Sequence, residues 1–97
     1  MESQTNVETA QETRFKVPRM YAVILFNDDV TTMDFVVELL VKVFRKSTAE
    51  ASAIMMQVHE EGKGVAGVYT YDIAVTKKMQ ADRMSSEKGF PLRLAVE

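Results

Sequence analysis

The chain has 97 residues, 46% hydrophobic and 27% charged, with 12 basic and 14 acidic side chains and no cysteine. That length makes one domain with one modest core, and the missing thiols exclude disulfides and thiolate metal sites. No apolar run approaches the ~18 residues of a membrane span. The pairs Arg45-Lys46 and Lys77-Lys78 are too small to neutralise phosphates, so neither membrane nor nucleic acid is expected as a partner.

The opening "MESQTNVETAQET" contains no Leu, Ile or aromatic residue. It also lacks the basic start and apolar stretch of a secretory signal. Residues 1–16 are therefore expected to be a flexible N-terminal extension and residues 17–97 the folded domain. Together with the absence of cysteine, this fits a cytoplasmic location.

The first ordered element is "YAVILF", Tyr21 to Phe26, which is short, continuous and apolar and is followed by a polar cluster. Those features predict a strand. Beyond Asn27-Asp28-Asp29, the residues Met33, Val36, Val37, Leu40, Val41 and Phe44 recur at the spacing of one buried helical face. Phe35, Leu39 and Val43 add a second stripe, so this helix is either deeply buried or offers a surface to a partner. Thr31 is the expected N-cap, with Asp34 closing a weak capping box.

A second helix is expected to open at "STAE", with Ser47 as cap and Glu50 as its reciprocal partner. Ala51, Ile54, Met55 and Val58 form its apolar face, with His59 one turn after Met55. Gly62 suits the left-handed position that ends it. "GVAGVYTY", Gly64 to Tyr71, has strand composition, with Gly67 marking a bulge or a close backbone approach.

A third helix is predicted from about Asp72 to Glu87. Its pattern of Ile73, Ala74, Ala81 and Met84 is weak, and Gly89 and Pro91 stop it. In the closing "PLRLAVE", Leu92, Leu94 and Val96 alternate with Arg93, Ala95 and Glu97 as a final strand. The order β-α-α-β-α-β predicts a compact single α+β domain, a three-stranded antiparallel sheet covered on one face by three helices.

The chemistry concentrates on Asn27-Asp28-Asp29 and the single histidine. His59 with Asp28 or Asp29 and a serine has the composition of a triad. Yet no nucleophile elbow, phosphate loop or dinucleotide fingerprint is present, so no catalytic residue is assigned and no enzyme is expected. Two carboxylates and a histidine are ligand types for zinc or manganese. Their spacing matches no metal motif, and neither metal nor cofactor is expected. A simple turn needs nothing more than Asn and Asp bonding their own backbone ahead of a helix. The pocket reading adds a purpose: acceptors at the mouth of an apolar cup lined by Met33, Met55 and Val58, suited to an ammonium beside a bulky apolar group.

"FNDDVTTMDFV", "VHEEGKGVAGVYTYDIAVTK" and "FPLRLAVE" resemble, in this order over about residues 17–97, the ClpS family. Those small adaptors deliver N-end-rule substrates to the Clp AAA+ unfoldase and protease. The resemblance implies that Asn27, Asp28 and His59 contact the substrate α-amino group, with Asp29 in support. It implies that Thr31, Met33, Val36, Met55, Val58 and Leu92 line the pocket for a first side chain such as Phe, Tyr, Trp or Leu. By the same resemblance, Asp72 and Lys77 dock on the N-terminal domain of a ClpA-like unfoldase, and the N-terminal extension takes part in delivery. No heptad or long apolar edge calls for a dimer, and a monomer is expected. Two positions depart from the family pattern: Val30 where an aromatic residue is common, and Thr32 where proline is common. A different reading is a translation-associated interaction module resembling the C-terminal domain of the ribosomal stalk protein, although its lysine-rich helix has no counterpart here.

Overall fold

Antiparallel pairing on both edges of one apolar strand organises the molecule, here a computed structural model that describes residues 17–97. The expected extension, residues 1–16, lies outside the described residues. Strand β1 (Tyr21–Phe26) is central, flanked by β2 (Lys63–Tyr69) and β3 (Arg93–Val96) in the order β2-β1-β3. Helices α1 (Met33–Lys42) and α2 (Thr48–Glu61) lie between β1 and β2 in sequence, and α3 (Tyr71–Lys88) between β2 and β3. The architecture is the α+β arrangement that the hydrophobic periodicities predict.

Alternation along β1 sends Val23 and Leu25 into the core beneath the helices and Ile24 to the opposite face. Both apolar stripes of α1 are used internally. Phe35, Val36, Leu39 and Leu40 are buried, as are Val43 and Phe44 just beyond the helix, while Val37 and Val41 pack at the edge of the core. Burial, rather than an open face for a partner, accounts for this over-apolar helix. Met33 is the exception at 42% exposed.

The start of α1 differs from expectation. Thr32, not Thr31, is the N-cap: its hydroxyl accepts from the Phe35 N–H at 3.1 Å. Asp34 therefore sits one position too early to complete a capping box. The reason lies in the preceding turn, where Asp28 engages Thr31. The start of α2 follows the sequence pattern, with Glu50 N–H donating to Ser47 Oγ at 3.1 Å and Ser47 N–H to Glu50 Oε1 at 2.9 Å.

The pattern of α3 is weak because its buried face consists of Ala74, Ala81 and Ser85, small residues that bring the helix close to its neighbours with little hydrophobic signal. Ile73, expected on that face, is exposed. The β1–β2 register shifts between Val23 and Ile24, which pair with Gly67 and Val65 and leave Ala66 as the extra residue of a bulge. A side chain at Gly67 would strike the Tyr69 phenol, so this glycine marks a close approach as well as the bulge. Among the described residues no helix is long and apolar enough to cross a membrane.

Candidate functional site

The ladder of β1 runs one step past Phe26. Asn27 N–H donates to the Gly62 carbonyl at 2.9 Å, which ties the acidic turn to the end of α2. Gly62 has φ +89°, a left-handed conformation that glycine adopts without steric penalty, and its N–H closes on Val58 O at 2.9 Å. The chain can then reverse from α2 into β2 while His59 stays in the last helical turn, facing the acidic turn.

Asp28 organises that turn. Its Oδ1 accepts from the N–H groups of Val30 at 2.8 Å and Thr31 at 2.7 Å, and its Oδ2 accepts from the Thr31 hydroxyl at 2.8 Å. Burial alone would raise its pKa, but the bonds from Thr31 and Val30 outweigh burial and hold the carboxyl below the usual range. A carboxylate offers about four acceptor positions. Three are taken within the turn, so Oδ2 retains capacity for a ligand. Closing the turn and offering an acceptor are compatible in this one carboxylate.

From this turn α1 contributes Met33 and Val36, and α2 contributes Met55, Val58 and His59, which share a helical face at i, i+3 and i+4. Together with Asn27, Asp28, Asp29 and Thr31 they enclose a pocket of about 280 Å³. That lies just under the roughly 300–1,000 Å³ of clefts that hold drug-sized ligands and suits one side chain with its backbone end. Its lining combines amide, carboxylate, hydroxyl and imidazole groups with thioether and aliphatic side chains. Val30, in the same turn, is 60% exposed.

Not every residue singled out from the sequence joins the pocket. Leu92 is 7% exposed within the core and does not line it. Asp72 is exposed in the first turn of α3. Lys77 is engaged internally: its Nζ donates to the Val43 carbonyl at 2.7 Å and lies 5.8 Å from the centre of the Tyr69 ring. Among the described residues, no three His, Asp or Glu side chains are grouped as a metal site would require. Two contributions escaped sequence reasoning. The Gly62 carbonyl anchors Asn27, and the Lys77–Val43 bond spans 34 residues, a separation no local pattern reports.

Fold and pocket together describe a small α+β domain with a pocket that joins amide, carboxylate and imidazole groups to thioether and aliphatic ones. The family model of the ATP-dependent Clp protease adaptor protein ClpS matches residues 16–95. The chain is 53% identical over 97 residues to the ATP-dependent Clp protease adapter protein ClpS of Acetivibrio thermocellus, covering 100% of this chain and 98% of that protein. It is 47% identical over 93 residues to the Helicobacter hepaticus protein of the same name, covering 96% and 94%. Among solved structures, Agrobacterium tumefaciens ClpS2 bound to L-phenylalaninamide matches with a TM-score of 0.80 at 41% identity, over 84% of this chain and 98% of that one. The chain belongs to the ClpS family of Clp protease adaptors.

Proposed function

We propose that the pocket binds the free α-amino group and the first side chain of proteins beginning with Phe, Tyr, Trp or Leu, and that the chain delivers them to a Clp AAA+ unfoldase. The observation that carries this reading is one pocket lined both by three acceptor-bearing side chains, Asn27, Asp28 and His59, and by the apolar Met33, Val36, Met55 and Val58. An ammonium has three N–H donors and no acceptor. The Asn27 side-chain carbonyl, the spare capacity of Asp28 Oδ2 and one ring nitrogen of His59 supply three matching acceptors, with Asp29 adding negative charge alongside. Met33, Val36, Met55 and Val58 then take the side chain, methionine adapting to rings and branched chains alike. L-Phenylalaninamide, the ligand of the Agrobacterium relative, presents the same two ends, an ammonium and a benzyl group.

Magnitudes suit a carrier that must release its cargo. Burying a Leu or Phe side chain contributes about 1.5–3 kcal/mol, and each hydrogen bond to a charged group about 1.5–3 kcal/mol. Three such bonds and the side chain give roughly 6–12 kcal/mol against association costs of at least about 4. The net, about 2–8 kcal/mol, reaches micromolar affinity only at its upper end.

Docking on the unfoldase N-terminal domain falls, in this proposal, to the exposed start of α3 around Asp72, with residues 1–16 taking part in delivery. Lys77 contributes less directly, because its ammonium is already committed to Val43. The test is fluorescence anisotropy of labelled peptides beginning with Phe, Leu, Met and Ala, each with a free and an acetylated amine. Acetylation removes the ammonium and leaves acceptors unpaired, and a loss of at least about 100-fold is expected. Equal binding of free and acetylated peptides would refute the reading.

A further inference from the structure

We propose that Gly64 is a positioning residue for the pocket and acts through Val58. Gly64 is buried on β2, paired with Leu25, on the sheet face that carries α2. A Cβ built at Gly64 would lie 2.9 Å from Val58 Cγ2, closer than real Cβ contacts come, and 3.2 Å from Gln57 Oε1. The glutamine amide ends a flexible chain and can move aside. Val58 moves only at a cost, being β-branched, restricted at χ1 and 3% exposed in a packed core.

Val58 lies in the last turns of α2, between Met55 and His59, and all three line the pocket. The seating of α2 on the sheet is therefore set by the missing side chain at Gly64. A methyl group there has two outlets. Either Val58 turns toward the pocket, or the end of α2 lifts and carries Met55 and His59 away from Asn27. Both disturb the room for the first side chain, and the larger ring suffers more.

The neighbouring glycines provide the contrast. Gly62 meets nothing within 4 Å and is needed for its positive φ, while Gly67 makes room for Tyr69, which does not line the pocket. Gly62 touches the site through its backbone bonds to Asn27 and Val58, and Gly64 is the one of these three whose missing side chain faces a pocket residue. The functional side of the inference rests on the pocket being the seat of a substrate's first residue.

The experiment measures anisotropy and thermal melting of the full chain as wild type, Gly64→Ala, Val58→Ala, the double variant and Gly67→Ala, with free-amine Phe and Leu peptides. Gly64→Ala is expected to weaken Phe-peptide binding about tenfold or more, and Leu-peptide binding less. In the Val58→Ala background, where Cγ2 is gone, adding Gly64→Ala should change binding by less than about twofold. Gly67→Ala should lower the melting temperature and leave the Phe-to-Leu ratio as it is. Wild-type binding by Gly64→Ala, or an equal loss in both backgrounds, would overturn the proposal. Should Gly64→Ala not fold, a folded, binding double variant supports it and an unfolded one refutes it. If the wild type binds no free-amine peptide, the functional reading fails by itself, and the melting temperatures of the same chains still decide whether Gly64 and Val58 are coupled.

Discussion

Asp28 performs two tasks that can be separated by substitution. In Asp28→Asn, the amide oxygen still accepts from the Val30 and Thr31 N–H groups, so the turn survives while the charge is lost. A unit charge pair at about 4 Å is worth about 1 kcal/mol in water and about 4 at an effective dielectric of 20. At a half-open mouth, about 2 kcal/mol is expected, or roughly 30-fold in affinity for a free-amine Phe peptide. Asp28→Ala also removes the acceptor for both amides and for the Thr31 hydroxyl. The loop must then be ordered on binding, and the loss should reach at least about 3 kcal/mol, roughly 150-fold or more. Anisotropy supplies the affinities and thermal melting the stabilities. The turn bonds also predict an acid limb. Because the folded carboxyl is held below its usual value, its contribution to stability is present above about pH 4 and lost as the pH falls through the folded value. Asp28→Asn should lack that limb. Wild-type affinity in Asp28→Asn would refute the ammonium contact, and identical behaviour of the two variants would refute the division into turn and charge.

Three further substitutions probe neighbouring features. Met33→Ala should broaden the pocket so that peptides beginning with Ile or Val gain relative to Phe; an unchanged preference series would take Met33 out of the site. Thr32→Ala removes the side-chain cap of α1 and should destabilise the fold by about 1 kcal/mol, or about 4–8 °C in melting temperature, with no change expected for Thr31→Val at this cap. Lys77→Ala breaks the bond to the Val43 carbonyl and should lower the melting temperature by a similar amount even without any unfoldase, so a docking defect in that variant has to be corrected for stability.

The parts of this fold that were legible in the sequence are those governed by local periodicity. The brevity of "YAVILF", the twin stripes of α1 and the Ser47–Glu50 capping box each depend on residues a few positions apart. The pocket was legible for a related reason: an acidic turn, the first turn of α1 and the i, i+3, i+4 set on α2 are compact motifs that a single crossing brings together. What escaped depends on choices between near-equivalent neighbours or on distant contacts. Thr31 and Thr32 can both cap a helix, and the decision is made by Asp28, which binds Thr31 and leaves Thr32 to α1. That also gives the departure at Thr32 a physical role, since proline has no hydroxyl to offer Phe35. The Lys77–Val43 bond and the close packing of Gly64 under Val58 join segments whose proximity exists only after folding. Leu92, one residue ahead of β3, keeps the inward alternation of Leu94, but alternation does not say whether it meets the pocket or the core beneath it.

The central claim, an ammonium seated at Asn27, Asp28 and His59 with its side chain between α1 and α2, is tested most directly by amide chemical-shift mapping of the labelled chain. The titrant is L-phenylalaninamide, compared with its N-acetyl form. Saturable shifts concentrated at Asn27 to Met33 and at Met55 to Gly62 are expected with the free amine, and almost none with the acetylated compound. Shifts spread over the exposed β2 residues Val65 and Val68, or equal responses to the two compounds, would contradict it.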